Sequence, residues 1–149
     1  MTRVKLSRWL GAVGLTLTMT AGGVGVAGAS SRHHPETTVA KKVVHIIASE
    51  NAAIDRAKAK NEFRAVSHDF SAAARKLGRL HYPKKARADA HTLVSALNKL
   101  AYDADQLAAA KGTLTAASAL LTTVVSDEGA EVAASDALRS KLGLPPAKL

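Results

Sequence analysis

Between Ala86 and Leu107 the apolar residues Ala86, Ala90, Leu93, Leu97, Leu100, Ala104 and Leu107 recur at alternating steps of four and three. Of the regular structures, the α-helix places residues at that spacing on one stripe, because 3.6 residues complete each turn. A stripe this long has to be covered by other helices. The segment is therefore read as one member of a bundle. Pro83 stands where a first-turn proline is tolerated, since the N–H it lacks has no partner inside a helix. Gly112 marks the far end.

The flanking segments carry the same pattern. Phe63, Val66, Phe70, Ala73, Leu77 and Leu80 form a second seam, stopped by Tyr82-Pro83. Upstream, Val39, Val43, Ile46 or Ile47, Ile54 and Ala57 mark a helix begun by Thr37 or Thr38 as cap. The junction near Lys58 to Asn61 lacks Gly and Pro. Asn61 caps a separate second helix in the favoured reading, and one long bent helix is the alternative. The last helix runs from about Leu114 through Leu120, Val124, Ala134, Leu138 and Leu142. Gly143 suits the left-handed position past a helix end, Leu144 folds back on Leu138, and Pro145-Pro146 forbids continuation. The expected fold is all-α: an up-down antiparallel bundle of about four helices over 37–144, with a tail at 145–149.

Ahead of the bundle, Arg3, Lys5 and Arg8 precede an uncharged run from Trp9 to Val26, and Ala27-Gly28-Ala29 places small residues where a signal peptidase reads. Residues 1–29 are expected to be a signal peptide, and 30–36 a polar, flexible arm. Five glycines and three threonines dilute the apolar run too far for a spanning helix of about 20 residues. No Cys follows, which excludes a lipid anchor of the lipobox kind. A secreted protein, extracellular or associated with the cell wall, is the expectation. Cys is absent from all 149 residues, so the fold rests on packing alone.

Charge is distributed unevenly. Residues 32–87 hold 13 Lys and Arg against 5 Asp and Glu, whereas 88–149 hold 5 against 7. Arg56, Lys60, Arg64, His68, Arg75 and Arg79 fall on a face opposite Phe63, Val66 and Phe70, and Lys84, Lys85 and Arg87 continue it past the turn. Such a stripe suits an anionic polymer of the cell envelope, and it is equally the pattern of an ordinary solvated helix face. Sequence-specific nucleic-acid binding is not expected, because stacking aromatics are lacking on that face.

Acidic residues interrupt the apolar stripes near helix middles: Glu50 in the first helix, and Asp127, Glu128 and Glu131 in the last, with Asn98 in the third. In an antiparallel bundle these heights coincide. Glu50 is thus expected near Glu128 or Glu131, where the carboxylates would hold a cation or share a proton. A second metal candidate is the pair His33-His34: cleavage after Ser30 would leave His33 third from a free amine, an arrangement that chelates Cu(II) or Ni(II). Cleavage after Ala29, the favoured position, makes it fourth. His45, His68, His81 and His91 show no i, i+4 pairing. No Gly-x-Ser-x-Gly elbow, phosphate loop or Glu-x-x-His pair occurs, and the chain is read as a non-enzyme without cofactor.

Leu80-His81-Tyr82-Pro83 leading into Ala86-Arg87-Ala88-Asp89-Ala90, the run Leu93 to Leu100, and the ending Leu138-Arg139 to Leu142-Gly143-Leu144-Pro145-Pro146, behind a Gly/Ala-rich leader, resemble small exported helical proteins of actinobacteria whose function is uncharacterised. The resemblance implies an exported bundle and supplies no activity and no catalytic residues. The functional expectation is an envelope-associated or extracellular binding module. The alternative is a bundle that holds a small ligand or metal ion.

Overall fold

Four α-helices follow one another in the computed structural model, which describes residues 35–60, 62–110 and 114–146. They are α1 (Pro35–Ala59), α2 (Phe63–Gly78), α3 (Arg87–Ala109) and α4 (Leu114–Lys141), with a short 3₁₀ turn at Lys84–Ala86 leading into α3. No strand occurs among the described residues. The closest helix–helix approaches join α1 to α2, α2 to α3 and α3 to α4. Short connections place sequence neighbours side by side and antiparallel, and the result is the up-down bundle that the seams predict.

Every member of the Ala86-to-Leu107 seam is buried. Val66, Phe70, Ala73 and Leu77 of α2, and Val43, Ile47, Ile54 and Ala57 of α1, meet it in one continuous core. The largest fully buried side chains are Val43, Leu77, Leu93 and Leu138, one from each helix. Each stabilises the fold by about 2 kcal/mol through loss of apolar surface from water.

α4 is covered unevenly. Ala134, Leu138 and Leu142 are buried, but from Ala117 to Ser126 no residue is. Leu120 and Val124, predicted seam residues, are only half-buried, and Val125 is 49% exposed. The reason lies in the sequence: Ala, Ser and Thr surround these apolar residues on every side, so that half of α4 has no single apolar stripe to turn inward.

Several boundaries differ from the sequence expectation. α1 begins at Pro35, so Pro35 and Glu36 belong to its first turn rather than to the arm, and Thr37-Thr38 lie inside the helix. Proline suits the first helical position because its missing N–H is one that the first turn leaves unbonded anyway. α1 and α2 are separate helices, the favoured reading. Glu62 stands at the start of α2 without a side-chain cap, and the cap candidate Asn61 lies outside the described residues, as does Gly112. α2 stops at Gly78, leaving Leu80 half-buried beyond its end.

The end of α4 follows the sequence closely. Gly143 has φ +70°, its N–H donates to Ser140 O at 3.1 Å, and Leu144 N–H donates to Arg139 O at 2.9 Å. These two bonds are the Schellman pattern, which satisfies carbonyls the helix would leave orphaned. Leu144 packs on the core cluster that contains Leu138. The Arg139 guanidinium closes the turn, its Nε donating to Pro145 O at 2.7 Å.

Candidate functional site

Two regions carry unusual chemistry. One is the basic layer made by α1, α2 and the turn before α3. Arg56, Lys60, Arg64, Arg75, Arg79, Lys84, Lys85 and Arg87 are all exposed, as is His68. On α2, Val66, Phe70, Ala73 and Leu77 are buried, so the helix turns the opposite face, with Arg64 and Arg75, to water. Arg64 and Arg79 are fifteen residues apart, which is about 22 Å along the helix axis. Arg56 in the last turn of α1 and Lys60 just past its end lie near one end of this row, and Lys84, Lys85 and Arg87 join the other.

Among the described residues, the ion pairs between helices use other lysines. Lys76 of α2 meets Glu50 of α1, Lys58 of α1 meets Glu128 of α4 at 2.8 Å, and Lys99 of α3 meets Asp127 of α4 at 2.6 Å. Each of these pairs matches one lysine with one acid. Arg87 makes one short-range bond, its Nε donating to the carbonyl of Tyr82 at 3.2 Å. Tyr82 is buried with its hydroxyl unpaired, and burial pushes its pKa up to about 12.

The second region is acidic and lies where α4 faces α1 and α3. A cleft of about 40 Å³ opens there, floored by Ile54, Phe70 and Leu100, with Asp55 and Lys58 on one wall and Glu128 and Glu131 on the other. Burial, with the neighbouring Glu128 charge, raises the Glu131 pKa to about 7. Lys58 acts against that rise, but its ammonium is held by Glu128. Next to the cleft, Asp103 is 4% exposed and Asp127 is 7% exposed. Burial and a hydrogen bond with Asp127 raise the Asp103 pKa. Asp127 itself is lowered, chiefly by its hydrogen bond from Lys99.

The three glutamates do not converge. Glu128 and Glu131 share the cleft, whereas Glu50 is buried against α2 with Lys76 as its partner. No group of three His, Asp or Glu fit to hold a metal ion occurs among the described residues, and Glu50 stands apart from the cleft that Glu128 and Glu131 share. Asn98 is exposed on α3. His33 and His34 lie outside the described residues.

Lys58, Lys99 and Asp103 complete the acidic region and were not singled out by sequence reasoning. Asp103 follows Leu100 by three residues, on the flank of the best-defined seam, and that spacing is the signal that could have placed it inside. The lysines gave no such signal. A Lys beside an apolar stripe sends its head group to whichever acid lies within reach of a flexible stem.

No helix among the described residues is long and apolar enough to cross a membrane. Compared with known proteins, the chain matches no family model, no curated protein and no solved structure.

Proposed function

We propose that this chain is an exported, non-enzymatic helical bundle that binds anionic polymer of the cell envelope through the basic layer of α1, α2 and the turn before α3. The observation that carries this reading is the separation of charge. Arg56, Lys60, Arg64, Arg75, Arg79 and Lys84 are exposed and take no part in the ion pairs among the described residues, which use Lys58, Lys76 and Lys99. A row of cations about 22 Å long suits a linear polymer better than a single small anion. Four of those six are arginines, whose planar fork grips phosphate oxygens two at a time.

Retention on immobilised anionic wall polymer tests the proposal. The chain is expected to bind at low salt and to elute as salt rises, because such contacts are screened. Retention that ignores salt contradicts it.

The cleft favours a second reading, a bundle that takes a small organic cation. Asp55, Glu128 and Glu131 outnumber Lys58 there, and Phe70 offers a ring on the floor. A thermal shift on adding small amines supports that reading, and a flat response across a panel of them counts against it.

A further inference from the structure

The outer face of α2 carries three arginines and one imidazole in a single line. Arg64, His68, Arg75 and Arg79 stand at offsets of 0, 4, 11 and 15 residues. With 3.6 residues per turn, those offsets fall within about 60° of one another around the helix. All four are exposed, His68 with 74% of its side chain open to water. Without His68 the line has a break of about 16 Å between Arg64 and Arg75, and with it the steps are about 6 Å and 10 Å. A second imidazole, His81, stands exposed in the turn between Arg79 and Lys84, at the next break in the same layer.

Imidazole is the side chain that ordinarily changes charge between about pH 5 and 8. Protonated, it donates from both ring nitrogens and adds a positive charge. His68 Nδ1 lies 3.4 Å from Asp69 Oδ1, and its Nε2 has no partner among the described residues. That nitrogen can donate to a phosphate oxygen. A polyanion lying along the row favours a positive ring beside it, and by linkage a proton on the ring favours the polyanion.

The charged groups around both rings are mixed. α1 and α3 pack against α2, and the Glu50–Lys76 pair and the approach of Gly78 to Val94 set their heights. Level with His68 on α1 are Asp55, Arg56, Lys58 and Lys60, and on α3 Asp103 and Asp105. Lys58 is bonded to Glu128, and Asp103 is buried, so Arg56 and Lys60 answer Asp55 and Asp105 in number. His81 has Arg79, Lys84, Lys85 and Arg87 close in its own turn, and Asp89 in the first turn of α3. The end of α4, which meets that turn, brings Asp136, Arg139 and Lys141.

We infer that acid strengthens the hold of this layer on anionic polymer, His68 and His81 each adding a cation to the row as they take up a proton. The inference rests on the polymer-binding role proposed above. It makes the chain a binder that grips at mildly acidic pH and loosens as pH rises.

Calorimetric titration of the full chain with long-chain linear polyphosphate, whose chain phosphates stay ionised throughout, tests it at about pH 5.5 and about pH 8. Each pH is run at several salt concentrations. At low salt the parent is expected to bind about tenfold tighter at the lower pH. Its slope of log K against log salt is expected to steepen by about 1.4, or 0.7 for each added cation. His68→Gln with His81→Gln is expected to bind as the parent does at the higher pH and to gain nothing in acid. His45→Gln with His91→Gln changes exposed histidines outside the row and is expected to keep the whole gain. Equal affinity of the parent at both pH values overturns the inference and leaves the polymer-binding role standing. A gain that survives in the first variant also overturns it, since the proton then sits elsewhere, as on His33 or His34. No binding at either pH overturns the role and the inference together.

Discussion

Lys58 at the end of α1 places its Nζ 2.8 Å from Glu128 Oε1 on α4, and among the described residues this is the one ion pair that joins those two helices. It stands at the mouth of a cleft whose other acids, Asp55 and Glu131, have no cation of their own there. A single ammonium thus moderates three carboxylates. Removing Lys58 leaves two facing acids on α4 and an open gap on α1, whereas removing Glu128 frees Lys58 for Glu131. Lys58→Ala is therefore expected to destabilise the bundle by about 1–2 kcal/mol at neutral pH, and Glu128→Gln by less. Urea unfolding of the two variants against the parent measures the difference.

Glu131 makes stability depend on pH in the reverse of the usual carboxylate sense. Its pKa is about 7 in the fold against 4.5 for the free side chain. Between those values the folded chain binds more proton than the unfolded one. The contribution is therefore complete below about 4.5 and lost as pH climbs through 7. At 1.36 kcal/mol per unit the loss is at most about 3 kcal/mol, and partial contact with water lowers it to about 2. The parent is expected to melt roughly 5–10 °C lower at pH 8 than at pH 5. Glu131→Gln is expected to flatten that slope, as calorimetry across the range will show.

Leu93 is fully buried at the centre of the α3 seam. Leu93→Ala is expected to cost about 3 kcal/mol through lost burial and the cavity left behind. Val125, 49% exposed on the thinly packed half of α4, provides the contrast. Val125→Ala is expected to change stability by no more than about 0.5 kcal/mol. Chemical denaturation with a common slope ranks the two.

Tyr82 is expected to titrate late. Tyr102 is 63% exposed, while Tyr82 is buried with its pKa raised to about 12. The alkaline absorbance step that comes late is expected to vanish in Tyr82→Phe. Because the Tyr82 hydroxyl has no partner in the fold, that substitution is expected to leave the melting temperature unchanged or slightly raised.

The parts of the fold legible in the sequence are those governed by one helix at a time. The Ala86-to-Leu107 seam predicts burial correctly at every position, because periodicity alone decides which side of a helix faces inward. Gly143 is legible for the same local reason: its φ of +70° is a conformation that few other residues adopt without strain. Glu50 was out of reach. Its height on α1 is predictable, but whether it meets Lys76 of the neighbouring helix or Glu128 of the last one depends on rotation and tilt between helices. Its burial beside a lysine on α2 is a choice that apolar spacing does not encode. In the first half of α4, Leu120 and Val124 continue a pattern that Ala117 to Ser126 otherwise abandons, and both are only half-buried.

The basic layer is the feature on which the proposed function stands, and titration against linear polyphosphate at several salt concentrations tests it most directly. The parent is expected to bind with log K falling linearly as log salt rises, the signature of counterion release. Replacing Arg56, Arg64, Arg75 and Arg79 together by Gln touches exposed side chains only and leaves the core intact. That variant is expected to lose at least about tenfold in affinity at low salt and to lower the slope by about 3, close to 0.7 for each contact removed. Equal affinity and equal slope in parent and variant would contradict the account.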